Sequence, residues 1–336
     1  MDAIQKYIIG VDIGGTWIRV ALASLDLKVG DISIKHTRTL KEHEFSISSS
    51  VISLIREFIT SKQVEIEQVV GIGIATAGPI DKEKGEVFNN ANLGFKIVPL
   101  KKPIEIAFPN IPLFIINDAN AAVLAVHYFE AEDDEKDNFV YITKSTGIGG
   151  GVICNGRLLL GKEGNAAEIG HGIVEPKSPY QCNCGAFGCW EVYSSGTGIA
   201  ARAKEMLKDT LLNFKILMYI VKNDENLITA KEIFQAARGG DKFSKSVIEQ
   251  SIFYDKIGIG LVNNYYDCTT IYFGGALMKD HDLIIPALKK QLAEDPVLFT
   301  INNPPKLKVT KYIEDLGVMG ALAFIKYCLE GNPIIE

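Results

Sequence analysis

Apolar residues run almost without interruption through Tyr7-Ile-Ile-Gly-Val-Asp12, pause at Ile13-Gly-Gly-Thr16 and resume in Trp17-Ile-Arg-Val-Ala-Leu-Ala23. A continuous apolar run of this length, bounded by glycine, reads as a strand buried on both faces. The opening is therefore strand, glycine turn, strand. A dinucleotide fingerprint or a Walker loop would need a helix after the turn, and neither consensus is present. A third strand is expected near Asp31–Thr39. Val51, Ile52, Leu54, Ile55, Phe58 and Ile59 then recur at helical spacing. Val69–Ala75 reads as the next strand, running into Thr76-Ala-Gly-Pro-Ile-Asp81. After the polar loop Asn89-Asn-Ala-Asn-Leu-Gly94, Leu113–Asn117 is another buried strand, followed by a helix over Ala119–Glu130.

The opening theme then returns. Phe139-Val-Tyr-Ile-Thr143 is a strand, Ser145-Thr-Gly-Ile-Gly-Gly-Gly151 a glycine-rich turn, and Val152–Asn155 a returning strand. Two such units suggest a duplicated fold whose halves each offer a glycine turn. Helices are predicted over Gly198–Lys208, over Thr229–Arg238 with Thr229 as cap, and over Lys242–Asn264, Asp282–Glu294 and Gly317–Glu330. Strands are predicted at Thr269–Phe273, ending in the Gly274-Gly275 turn, and at Lys306–Tyr312. Between Met206 and Gln235 no motif stands out, which leaves room for a helical insertion. Glu132–Asp137 reads as a solvated turn.

At 336 residues the chain is long for one core and suggests two domains. Apolar residues make up 47% and charged residues 23%, as in an ordinary globular protein. The net charge of −6 offers no general affinity for nucleic acid or anionic membrane, and no apolar run approaches the ~20 residues that span a bilayer. The N-terminus carries no signal-peptide pattern. Cys154, Cys268 and Cys328 sit singly in apolar or helical contexts, as buried free thiols do, so a reducing, cytoplasmic setting is expected.

The other three cysteines change the picture. His171, Cys182, Cys184 and Cys189 fall within nineteen residues, as His-x10-Cys-x-Cys-x4-Cys. Thiolates with one imidazole suit a tetrahedral structural zinc, and Gly185 and Gly188 let the loop close around it. Cys182 and Cys184 are too near in sequence for an easy disulfide. Glu168 and Glu191 bracket the cluster. Elsewhere, Gly14, Gly15 and Thr16 form one loop that could approach a phosphate with backbone amides, and Thr146 and Gly147 form another. Each alone is equally a tight hairpin. Asp12, at a strand end beside the first loop, is placed to hold hydrated Mg²⁺. Asp118, at the carboxyl end of a buried strand, is either a ligand group or a helix cap, and Asn92 is either a ligand or a turn residue.

Asp12-Ile-Gly-Gly-Thr16, Glu168-Ile-Gly-His171 and Cys182-x-Cys-Gly-x-x-Gly-Cys-x-Glu191 together resemble the signature of the ROK family (repressors, open reading frames and sugar kinases), over nearly the whole chain. Within that family the sequence is similar to archaeal ATP-dependent hexokinases. The resemblance implies an α/β chain with the actin-like ATPase (ribonuclease H-like) fold, two domains and a nucleotide and sugar cleft between them. The small domain would comprise residues 1–117 and about 315–336, the large one 118–314 with the zinc knot. It implies ATP, Mg²⁺ and structural Zn²⁺, and phosphorylation of the 6-hydroxyl of glucose and other hexoses such as mannose and glucosamine, a step of glycolysis. Asp118 would be the general base. Gly78 would bind the sugar, Asn92, Asn117 and Asp118 would meet its far end, and Glu168, His171 and Glu191 the end near the anomeric carbon. His171 would place one ring nitrogen on zinc and the other on a hydroxyl. Asp12, Gly14, Gly15, Thr16, Thr146 and Gly147 would serve the phosphates, and Gly274 and Gly275 the adenosine.

A homodimer is expected, without nucleic acid or membrane partners. N-acetylglucosamine, N-acetylmannosamine and fructose remain open as alternative acceptors. A sugar-responsive repressor would carry a helix-turn-helix domain, for which a motif opening at residue 12 leaves no room. One departure from the family pattern is Asn165-Ala-Ala, where the lead into Glu168-Ile-Gly-His171 is usually richer in glycine.

Overall fold

The structure, a computed structural model, describes residues 5–37, 43–90, 93–295 and 303–335. The chain divides into two compact units. The first takes the residues up to Asp137, Gly151–Ala166 and those from Glu314 on; the second takes Asn138–Gly150 and Ala167–Ile313. The helix that follows Asn117 thus groups with the first unit, whereas the sequence reading drew the line at that residue.

The first unit opens with β1 (Tyr7–Ile13), β2 (Trp17–Ser24) and β3 (Val29–His36), followed by α1 (Ser46–Ser61) and β4 (Val69–Thr76). A small antiparallel sheet of β5 (Ile80–Asp81), β6 (Glu86–Asn90) and β7 (Phe95–Pro99) comes next, then α2 (Lys101–Ala107), β8 (Leu113–Asn117) and α3 (Asp118–Phe129). The main sheet has the order β3-β2-β1-β4-β8. β1 to β3 pair antiparallel, and β1, β4 and β8 pair parallel. The alternation along β1 explains its unbroken apolar run. Ile9, Val11 and Ile13 pack under α1 with Val51, Leu54, Ile55 and Phe58. Ile8, on the other face, packs against Val318, Leu322 and Ile325 of the last helix, α10 (Leu316–Leu329). α10 lies directly on the strands because Gly73 has no side chain there; a Cβ would sit 2.4 Å from the Ala321 carbonyl. Both faces of β1 are covered along Ile8–Val11, so neither can be polar there.

After α3 the chain runs through β9 (Asn138–Lys144), a three-residue turn, β10 (Ile148–Cys154) and β11 (Arg157–Leu159). β11 also pairs with the terminal β14 (Ile334–Ile335). In the second unit come α4 (Glu191–Ser194), α5 (Gly196–Met206), α6 (Lys215–Ile220), α7 (Ala230–Arg238), α8 (Lys242–Tyr266), β12 (Thr270–Gly274), α9 (His281–Glu294) and β13 (Lys306–Val309). β9, β12 and β13 are parallel neighbours. The expected Thr229 cap is a capping box with Glu232. The stretch from 206 to 235 holds turns and α6 ahead of α7. The expected strand at Lys306–Tyr312 stops at Val309, and that at Asp31–Thr39 is β3, ending at His36.

Candidate active site

In the first unit, the β1–β2 hairpin puts Asp12 directly opposite Arg19. Arg19 Nη1 donates to Asp12 Oδ2 at 3.2 Å. Burial nonetheless dominates and lifts the Asp12 carboxyl to about 6; Arg19 opposes the shift, while Asp118 and Asp315 add to it. Three carboxylates thus share one neighbourhood with a single guanidinium. α10 begins against this group: a Cβ on Gly317 would lie 2.5 Å from the Asp12 carboxylate. The turn itself is held by Gly14 N–H donating to Trp17 O at 2.9 Å. Thr37, buried at the end of β3, braces it from behind, with its hydroxyl on Gly14 O and its amide on Thr16 O. The amide of Gly14 is therefore engaged inside the turn, and the phosphate contacts expected of this loop fall to Gly15 and Thr16.

At the end of β8, Asn117 has an extended backbone and its Oδ1 accepts from the Ala119 amide at 2.9 Å. Asn117 is the cap of α3, and Asp118 Oδ1 shares the same amide at 2.8 Å. Asp118 is pushed above the usual carboxylate range by burial, with the Ala119 amide pulling the other way. Gly78 faces the Asn117 amide nitrogen; a Cβ on it would sit 3.4 Å away. A water-sized cavity of about 30 Å³ adjoins both, lined also by Asn120 and Gly164. Asn92 lies outside the described residues.

In the second unit, His171 Nδ1 stands 3.6 Å from Cys182 Sγ, and Cys184 Sγ stands 3.6 Å from Cys189 Sγ. One atom from each of the four residues falls within 4.8 Å of all the others. A tetrahedral zinc with bonds of ~2.1–2.3 Å has edges of roughly 3.5–3.8 Å, so the four could hold one ion. The same 3.6 Å is far beyond a disulfide bond. Cys189 is pushed up to about 12 by burial and then by Cys184 and Cys182, a crowding of thiols that a bound cation would relieve. The loop closes through Gly185 and Gly188, both at positive φ; a Cβ on Gly188 would lie 2.0 Å from Glu175 O. On its other side, His171 Nε2 lies 3.9 Å from Glu168 Oε2, too long for a direct hydrogen bond.

Glu191 has one oxygen already engaged: Oε2 accepts from the Ile148 amide at 2.9 Å, just past Gly147, where any Cβ would collide with it. The Thr146 carbonyl accepts from Thr197 Oγ1 at 2.8 Å, and Ser145 O from Gly196 N at 2.8 Å. Gly275, at φ +89°, lies on the backbone of Lys144, which brings the 274–275 turn against the 145–147 turn. A cavity of about 740 Å³ opens beside them, lined among others by Thr146, Thr197, Ala276, Leu277 and Lys279. That volume falls in the usual range for small-molecule sites. Ala167, in the lead into Glu168, holds a left-handed backbone at φ +63° of the kind glycine adopts freely.

Sequence reasoning missed Arg19, Thr37, Asp315 and Thr197. Arg19 was readable in principle, since a four-residue loop, Gly14–Trp17, between the Ile13 and Ile18 pair places residues 12 and 19 as partners. Asp315 and Thr37 depend on packing between distant segments.

The ROK family profile matches residues 8–327. A glucokinase of Thermotoga maritima is 32% identical over 326 residues, covering 96% of this chain and 98% of that protein. A glucokinase of Halalkalibacterium halodurans is 30% identical over 324 residues, covering 96% of each. The crystal structure of a ROK family glucokinase from Streptomyces griseus in complex with glucose and AMPPNP superposes with a TM-score of 0.75 at 26% identity, covering 95% of this chain and 98% of that one. The expected actin-like ATPase fold is the fold observed.

Proposed function

The chain belongs to the ROK family, and on that premise we propose that it is an ATP-dependent hexokinase that transfers the γ-phosphate of ATP to the 6-hydroxyl of glucose and related hexoses. The observation that carries the reading is Asp118, a half-buried carboxylate with a raised proton affinity at the end of a parallel strand, in the company of Asp12.

Phosphoryl transfer passes through a loose transition state, so positioning and charge neutralisation supply most of the rate. Asp118, in its ionised form, accepts the proton of the 6-hydroxyl as its oxygen bonds to the γ-phosphorus and ADP leaves. Its Oδ1 is oriented by the Ala119 amide, which leaves Oδ2 for the hydroxyl. Asn117, with Oδ1 engaged in the cap, offers Nδ2 as a donor to the sugar. Mg²⁺, when bound, neutralises phosphate charge, and Asp12 would hold it through water. Gly15 and Thr16 would donate to phosphate oxygens, and Thr146 and Gly147 would offer the same kind of contact. The 740 Å³ cavity supports an adenosine site beside Gly275.

His171, Cys182, Cys184 and Cys189 would hold a structural zinc, with His171 bound through Nδ1. That fixes Nε2 as the ring N–H, and a sugar hydroxyl lying between it and Glu168 would accept from one and donate to the other. Glu191 would offer only Oε1. A coupled ADP-release assay with ATP against glucose, mannose, glucosamine, fructose and N-acetylated hexosamines tests the reading. Turnover is expected with glucose and none with a 6-deoxy sugar. ADP release with the 6-deoxy sugar equal to that with glucose would refute it.

A further inference from the structure

Behind the phosphate turn of the second unit lies a polar group that the reaction does not use directly. Lys144 and Asp255 form a direct ion pair, each side chain only 1% exposed. The second carboxylate oxygen of Asp255 accepts from Trp190 Nε1 at 2.9 Å. Trp190 is itself 1% exposed. Its ring rests on α8 where Gly258 leaves space; a Cβ there would come within 2.3 Å of the indole. One turn earlier along α8, Ser251 O accepts from Ser194 Oγ at 2.8 Å. Ser251, Asp255 and Gly258 recur at helical spacing, so one face of α8 is dedicated to this contact.

Burying a lysine and a carboxylate gains little net stability over an apolar pair of the same volume. What distinguishes this pair is where its ends attach. Lys144 immediately precedes Ser145-Thr146-Gly147, and its backbone also seats Gly275. Trp190 separates Cys189 of the metal cluster from Glu191, whose Oε2 returns to the Ile148 amide. A single carboxylate therefore ties the strand end that carries the phosphate turn to the segment that carries a sugar-reading acid.

We propose that Asp255 is a positioning residue for phosphoryl transfer, holding the 145–147 turn through Lys144 and Glu191 through Trp190 in one register. The proposal rests on the kinase reading for its rate effects, and its ties can be tested without turnover. Breaking either tie should misplace one reactant's contacts while the other tie persists. Lys144→Met should raise KM for ATP more than KM for glucose. Trp190→Phe, which keeps a ring on Gly258 but loses the indole N–H, should raise KM for glucose more than KM for ATP.

The test is the set Lys144→Met, Trp190→Phe and the charge-free double variant Lys144→Met/Asp255→Leu, each assayed per folded molecule. The double variant leaves no buried charge unpaired, so it is expected to melt within a few degrees of the parent. Its kcat/KM should nonetheless fall about 10- to 100-fold. In parallel, Trp17→Phe leaves Trp190 as the single tryptophan. AMPPNP alone should shift Trp190 emission in that protein and should no longer do so once Lys144→Met is added. That second arm reads the tie even in a chain that phosphorylates no hexose. Unchanged kcat/KM per folded double variant, or an AMPPNP-induced emission shift that survives Lys144→Met, would overturn the proposal.

Discussion

The two glycine turns solve the same problem with opposite electrostatics. In the first unit, the Gly14–Thr16 turn sits beside Asp12, whose one cation, Arg19, is outnumbered by the neighbouring carboxylates, and the Asp12 carboxyl is lifted to about 6. In the second unit, the Ser145–Gly147 turn follows a lysine whose charge is met by Asp255, and an acid, Glu191, is tied to a backbone amide. One region carries surplus negative charge at half-buried positions; the other has its charges matched. Surplus charge is what a cation or a transferred proton requires, so on the proposed reading the chemistry belongs to the first turn's surroundings. Matched charge gives geometry, which is what reading a substrate requires.

That contrast can be broken most sharply at Asp118. Asp118→Asn keeps the shape of the side chain, and the α3 cap persists because Asn117 provides it. With the proton acceptor gone, kcat should fall ~10²–10⁴-fold while the thermal melt stays near that of the parent. Near-normal kcat would show that the surplus charge serves something other than proton transfer.

The second unit should respond differently, losing structure and binding together. With one zinc per chain expected by elemental analysis, Cys184→Ser should lower the zinc content and the melting temperature and weaken glucose binding roughly 10- to 100-fold, because His171 and Glu168 lose their anchor. A metal-free protein with unaltered sugar affinity would separate the cluster from the site.

Asp12 supplies a pH signature. Its carboxyl binds a proton more tightly in the folded chain, at about 6, than at its ordinary 3.8. The native state thus holds the extra proton between those values, so stability falls as pH rises from about 4 to about 6 and stays lower above. Asp12→Asn, studied without Mg²⁺ or nucleotide, should flatten that slope and raise stability at pH 8. The full shift corresponds to about 3 kcal/mol, of which roughly 1–2 should remain once Arg19 is left without its partner. Urea titrations of both proteins at pH 4 and pH 8 read it directly; an unchanged slope would place Asp12 in a wetter setting.

The smallest effect concerns the edge of the second unit. Ala167 holds a left-handed backbone that costs a non-glycine residue roughly 1 kcal/mol. Ala167→Gly should therefore stabilise the protein by about 0.5 kcal/mol after the added freedom of the unfolded chain is subtracted. A measured loss of stability instead would mean that the Ala167 methyl packs usefully.

Much of this was legible in the chain itself. The unbroken apolar run of Tyr7–Asp12 announced a strand covered on both faces, and the structure covers it with α1 and α10. The spacing of His171, Cys182, Cys184 and Cys189 announced a cluster that the fold draws within 4.8 Å. The departure at Asn165-Ala-Ala was visible too, but not the left-handed backbone that Ala167 adopts there.

Local pattern determined the strands, the helices, the glycine turns and the metal-type cluster, because each depends on residues within about twenty positions of one another. Tertiary structure alone decided that Asp315 raises the proton affinity of Asp12, that Thr37 braces Gly14, and that Asp255 joins Lys144 to Trp190 across 111 and 65 positions. A buried charge finds its partner in space, where Coulomb interaction and desolvation depend on distance and on the exclusion of water, and neither quantity is written in sequence separation.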